Sequence, residues 1–143
     1  MEVKTLIGYS ARESVDSFYE VNQKPHKARD SDIFFIAYDM DKIIGTVRFC
    51  VEENVPLLRS MLISESYRRR GVGQLLLREF ESYLIKMNIS KSFCIAYSHL
   101  EHFYGLIGFK KIIPSDAPNF LHERFSSYLR DYPENEYIMM ERR

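Results

Sequence analysis

The segment Leu57–Leu84, LLRSMLISESYRRRGVGQLLLREFESYL, constrains the fold more than any other part of the chain. A short apolar run gives way to Arg68-Arg69-Arg70-Gly71-Val72-Gly73, and an amphipathic helix follows at once. Val72, Leu76, Phe80, Leu84 and Met87 recur at helical spacing, with Arg78, Glu79, Glu81 and Lys86 between them. Strand, basic glycine turn and helix in that order make an anion site. The first amides of a helix lack intrahelical partners, and the peptide dipoles add partial positive charge there. Gly71 and Gly73 have no Cβ, so the backbone can come close to a ligand. The arginine forks suit phosphate oxygens. A solvated basic face is the ordinary alternative for such a turn. Two phosphate-binding patterns are excluded. There is no G-x-x-x-x-G-K-[ST], and Leu76 stands where a dinucleotide fingerprint requires its third glycine.

The rest of the chain reads as alternating strands and helices. Strands are predicted at Val3–Tyr9, Ile33–Tyr38, Ile43–Val51, Leu57–Ser64, Ser92–Tyr97, Phe109–Ile113 and Tyr137–Glu141. Ile43–Val51 alternates, with Val47, Phe49 and Val51 opposite Thr46, Arg48 and Cys50, and reads as half-buried. Ser10 is the expected cap of a helix over Ala11–Asn22, and Gln23–Asp32 reads as a loop. Pro56 is expected to interrupt pairing before the fourth strand. Further helices are expected at Ser98–Ile107, ended by Gly108, and at Phe120–Leu129. The pattern predicts an α/β class fold, a mixed (α+β) sheet covered by helices, in a single domain over residues 1–143.

Composition narrows the partners. The formal net charge is zero, from 20 basic and 20 acidic residues, which argues against broad binding to nucleic acid or anionic membranes. The local arginine run is therefore a better ligand site than a polyanion track. Cys50 and Cys94, the two cysteines, each lie in an apolar strand-like run, where reduced, buried thiols are expected. The first residues show no signal-peptide pattern and no apolar run is long enough to span a bilayer, so a cytoplasmic protein is expected.

The turn resembles the coenzyme A signature of the GNAT superfamily of N-acetyltransferases, [Q/R]-x-x-G-x-[G/A], here Arg68-x-x-Gly71-x-Gly73. A second block, His102-Phe103-Tyr104-Gly105-Leu106-Ile107-Gly108-Phe109, is similar to the family's F-Y-x-x-x-G-F box. The resemblance implies the GNAT, or acyl-CoA N-acyltransferase, fold: a central, mostly antiparallel sheet flanked by helices. It implies acetyl-CoA as co-substrate and no metal. Carried over, Met61, Leu62 and Ile63 meet the pantetheine arm and acetyl group. Arg68, Arg69, Arg70, Gly71, Val72, Gly73 and Gln74 wrap the pyrophosphate. Many family members have glycine where this chain has Arg69, so its side chain is expected to point outward. The family's fourth strand splays from the fifth, and its members often pair as homodimers.

Acetyl transfer to an amine needs a neutral amine, donors for the developing oxyanion and a proton for the departing thiolate. Tyr104 occupies the position where many GNAT members place the tyrosine that protonates the thiolate; packing against Phe103 and Phe109 is the structural alternative. The resemblance points to a backbone amide near Leu62 for the oxyanion. No general base is legible. Glu52, Glu53 and Glu65 read as solvated carboxylates, and His99, His102 and His122 as surface or core residues. Arg59, a charge inside an apolar strand, must face water, a partner or a ligand, and an acceptor carboxylate is one such ligand. Asp116-Ala117-Pro118, the Phe120–Tyr128 helix, Tyr132-Pro133, Met139-Met140 and LLRSMLI resemble small amino-acid and arsenic-resistance-type N-acetyltransferases. Those relatives often have Cys-Pro at Tyr132-Pro133 and phenylalanine at Tyr104. The resemblance implies a small-molecule amine acceptor such as an amino acid. A non-catalytic acyl-CoA sensor is the competing reading.

Overall fold

The computed structural model describes residues 1–22 and 29–143, without the side chains of residues 7–12. Most of the predicted loop Gln23–Asp32 lies outside the described residues. The elements run β1 (Glu2–Ile7), α1 (Gly8–Val21), β2 (Ile33–Asp39), β3 (Lys42–Glu52), β4 (Val55–Ile63), α2 (Val72–Lys86), β5 (Ser92–Tyr97), α3 (Glu101–Gly105), β6 (Phe109–Ile112), α4 (Asn119–Asp131) and β7 (Tyr137–Arg142). The strands form one sheet in the order β1-β2-β3-β4-β5-β7-β6. Only β4 and β5 run parallel; the other pairings are antiparallel. This is the mixed sheet covered by helices that the sequence pattern predicts, with the mostly antiparallel order that the resemblance implies. No described helix is long and apolar enough to cross a membrane.

Helices cover both faces. On one face Val72, Leu76, Leu77, Phe80 and Leu84 of α2 pack on Phe35, Val47, Phe49 and Leu58. Phe80 meets the Phe35 and Phe49 rings at 5.9 and 6.0 Å, and Tyr83 meets the same two rings. Such aromatic pairs add to the area each ring buries. On the other face Val15, Phe18 and Tyr19 of α1 cover Phe34, Ile36 and Leu62. Leu121 and Phe125 of α4 cover Cys50, Leu57, Phe93 and Met139. This two-sided cover corrects the half-buried reading of β3, which is buried from Ile44 through Cys50 while Val51 is exposed. Both cysteines are free and buried.

Other local differences have local causes. Pro56 lies inside β4 opposite Val51 rather than before the strand, because near a strand start the missing N–H removes only one ladder donor. The first helix begins at Gly8, so Ser10 falls in its first turn and not at its cap. Met87 is half-exposed, because α2 ends at Lys86. Ile89 turns back instead, its N–H donating to the Leu84 carbonyl at 2.8 Å. The predicted helix over Ser98–Ile107 is a one-turn 3-10 segment, Ser98–Leu100, followed by the short α3.

Two irregularities position the site. β4 and β5 share a single paired position, Leu57 with Phe93, and part beyond it. β4 also carries a bulge. Arg48 pairs with Arg59 and Thr46 with Leu62, so Ser60 and Met61 together oppose Val47. Ser60 takes φ +58°, and the Tyr19 hydroxyl donates to its carbonyl. The bulge breaks the simple in-out alternation of β4. Met61 and Ile63 join Leu58 on the α2 face, and Leu62 turns to the α1 face.

Candidate active site

The chain leaves β4 through the 3-10 turn Glu65–Tyr67 and reaches α2 through the three arginines. Gly71 is the N-cap of α2, in the left-handed region at φ +83°, with no side-chain cap and no acidic residue in the first turn. Charge and donors at this end are therefore left for a ligand. A Cβ on Gly71 would meet nothing within 4 Å, so the space beside the cap residue is open. Arg69 is also left-handed, at φ +63°, and exposed, where glycine is the low-cost residue. The Arg68 Nε donates to the Ile63 carbonyl at 3.2 Å, tying the turn to the end of β4. Arg70 lies over the Tyr67 ring at 4.8 Å, and the Tyr67 hydroxyl donates to Asp39 at 2.7 Å.

Gly73 serves a different purpose. A Cβ there would sit 2.9 Å from the Phe103 ring. The glycine lets α2 close on α3, so the two sequence blocks meet in space, and Tyr104 is the next residue along. We expect Gly73→Val to lower unfolding free energy by roughly 2 kcal/mol through overpacking, read by urea denaturation. An unchanged midpoint would show that the ring yields freely.

Between the splayed strands lies a cavity of about 710 Å³. Leu58 to Leu62 line one side, Cys94 to Tyr97 another, and Tyr104, Arg124 and Tyr128 contribute from the helices. Tyr104 is buried, with its ring edge-on to Phe103 at 5.0 Å and to Phe109 at 6.3 Å. Its ring is thus core while the residue lines the cavity. Burial, with Cys94 beside it, pushes the phenol far above its usual value, so it stays protonated.

Arg59 does not reach solvent alone. Arg48 and Arg59 face each other across β3 and β4, a like-charge pairing that needs anions. Asp32 takes Arg48 at 3.0 Å, both groups buried. Glu52 takes Arg59 at 3.1 Å and is gripped by both ends of Arg124, at 2.8 and 3.1 Å. The Arg124 hydrogen bonds, aided by Arg59, hold the Glu52 carboxyl down to about 2 against the opposing effect of burial. That corrects the solvated reading of Glu52 and removes it as a base at neutral pH. Its folded value lies below the ordinary 4.5, so its stabilisation is present above about pH 4.5 and is lost as pH falls toward 2. We expect Glu52→Gln to be less stable at pH 7 by about 2 kcal/mol and to lack this acid-range decline, read from denaturation midpoints between pH 2 and 7. Parallel curves for the two proteins would contradict this.

The other base candidates stand away from the cavity. Glu53, Glu65, His99 and His102 are exposed, and neither they nor His122 line it. His99 stacks on Tyr97 at 5.7 Å. Among the described residues no group of His, Cys, Asp and Glu could hold a metal ion. Arg124 was missed in the sequence. The signal is a charge on an apolar helix face, since Leu121, Arg124, Phe125 and Tyr128 share one side of α4.

A family model described as "Acetyltransferase (GNAT) domain" matches residues 30–111. None of the curated proteins matches the chain. Solved structures do. An acetyltransferase of the GNAT family from Staphylococcus aureus Mu50 is 17% identical, with a TM-score of 0.64, over 99% of this chain and 98% of that one. N-acetylglutamate synthase from Neisseria gonorrhoeae, complexed with coenzyme A and N-acetyl-glutamate, is 15% identical at TM-score 0.70, over 100% of this chain and 35% of that one. An aminoglycoside 6'-N-acetyltransferase complexed with coenzyme A is 10% identical at TM-score 0.70, over 99% and 96%. At these identities the likeness is one of fold.

Proposed function

The chain belongs to the GNAT acetyltransferase family, and from that premise we propose that it transfers acetyl from acetyl-CoA to the primary amine of a small molecule, with Tyr104 as general acid. That the protein is an acetyl-CoA-dependent acetyltransferase follows from the family; the acceptor and the residue roles are our reading. Acetyl-CoA supplies the activated acetyl group. The open space beside Gly71 and the uncapped first turn of α2 fit its pyrophosphate, with Arg68, Arg69 and Arg70 as counter-charges and the amides of Val72, Gly73 and Gln74 as donors. Met61, Leu62 and Ile63 lie along the arm, where β4 has left β5.

Tyr104 donates its proton to the departing sulfur. A backbone N–H near Leu62 donates to the acetyl oxygen as negative charge develops there. Glu52 is held ionised by its arginines and Glu134 sits on the exposed rim of the cavity, so in this reading the amine gives its proton to water. One observation carries the reading: Gly73 packs on Phe103, which brings the glycine turn against the cavity wall at Tyr104. The resemblance of the tail to small amino-acid N-acetyltransferases supports an amino acid or analogue as acceptor, with Arg59 on the acceptor side. On the same footing we read residues 1–143 as one domain acting in the cytoplasm, with a homodimer implied by family resemblance.

The test is free-thiol release from acetyl-CoA with a panel of amino acids, simple amines, polyamines and aminoglycosides. Release with at least one small amine supports the proposal. Tight coenzyme binding with no release above background for any amine would leave an acyl-CoA sensor instead.

A further inference from the structure

The arginines of the cavity are not balanced by the carboxylates that hold them. Arg59 of β4 and Arg124 of α4 both line it, and they share one partner, Glu52. A guanidinium has five N–H donors. Glu52 takes two from Arg124 and one from Arg59, three of the ten. The pair with its carboxylate keeps a charge of one positive unit. The two side chains are 31% and 23% exposed, which leaves them in reach of a ligand yet screened from bulk water. The opposing Arg48 is paired with Asp32, which also takes Arg29, so Asp32 is committed elsewhere. Glu134, on the exposed rim, is the one carboxylate that lines the cavity itself among the described residues.

We propose that the acceptor carries a carboxylate beside its amine, and that Arg124 and Arg59 bind that carboxylate together. The inference rests on the acetyltransferase reading and assigns the acceptor class. Arg124 is a specificity-determining residue in this account. Glu52 is a positioning residue: its two-point grip fixes the Arg124 plane, and the same oxygen that meets Arg124 Nη1 meets Arg59. A second carboxylate can then take a planar fork that is already oriented, without paying to order two long side chains. A simple alkylamine or a polyamine gains nothing from these arginines and is repelled by them. At this end Tyr137 stacks on Tyr97 and meets the Tyr128 ring at a tilt, and the three rings form a wall for the rest of the acceptor.

The experiment is calorimetric titration of the full chain saturated with coenzyme A. The probes are individual amino acids, each paired with its decarboxylated amine, and the proteins are wild type, Arg124→Met and Arg124→Lys. We expect at least one amino acid to bind wild type about tenfold or more tightly than its amine, the loss that one charge-assisted contact predicts. Arg124→Met should erase that preference with coenzyme affinity unchanged, and Arg124→Lys should restore part of it. Equal binding of amino acid and amine by wild type would overturn the proposal without any variant. A preference that survives in Arg124→Met would overturn it too. The readout is binding, so it is distinguishable from failure of the catalytic reading. An Arg124-dependent preference without thiol release would uphold the acceptor class and reject turnover.

Discussion

Tyr104→Phe is expected to lower kcat by about 100-fold or more while leaving coenzyme affinity unchanged. Loss of a general acid typically costs a factor of this size, about 2.7 kcal/mol of barrier. The substitution suits the question because the ring contacts that fix this residue, to Phe103 and Phe109, are kept in phenylalanine. A stability loss therefore cannot masquerade as a catalytic one. Single-turnover rates with saturating acetyl-CoA, beside a coenzyme titration, separate chemistry from binding. Equal rates for the two proteins would return Tyr104 to a packing role and put the proton on water.

Gly71→Asp is expected to weaken coenzyme binding by about 100-fold, about 2.7 kcal/mol. The new side chain enters the open space beside Gly71 and places a negative charge where the proposal puts the phosphate. The backbone is left-handed there, a region that aspartate tolerates better than most residues, and no neighbour is displaced. A large loss of coenzyme affinity with a small change in thermal midpoint is thus the expected pair of results. Unaltered affinity would mean that the turn is not the phosphate site.

Much of this fold was legible in the sequence because its elements follow strong local rules. Ser92–Tyr97 was bounded as observed, and α2 was read from its apolar spacing with only Met87 misplaced. The β3 strand was misread because alternation of apolar and polar side chains reports one buried face. Here Arg48 is buried in company with Asp32, a partner sixteen positions away, and sequence spacing does not reveal such pairs. The bulge at Ser60 was invisible for a related reason. It is set by how Thr46 and Arg48 pair with β4, and no glycine marks it.

The proposed coenzyme side of the site is legible in contiguous motifs, whereas the proposed acceptor side is assembled from β3, β4 and α4. Arg59 was noticed because a charge in an apolar strand is anomalous. Its partner Glu52 reads as a surface carboxylate in the sequence, and Arg124 is only weakly marked, because the fold is what brings residues 52, 59 and 124 together. Such a cluster leaves a weak trace in sequence, a charge on the wrong face of an amphipathic helix.

The most direct test of the central claim is a crystal structure of the coenzyme A complex. The account predicts the pyrophosphate on the amides of Val72 to Gln74, the arm along Met61–Ile63, and the sulfur within about 3.5 Å of the Tyr104 hydroxyl, near hydrogen-bond reach. Coenzyme bound elsewhere, or bound on the turn with its sulfur far from Tyr104 and outside the cavity between β4 and β5, would contradict it.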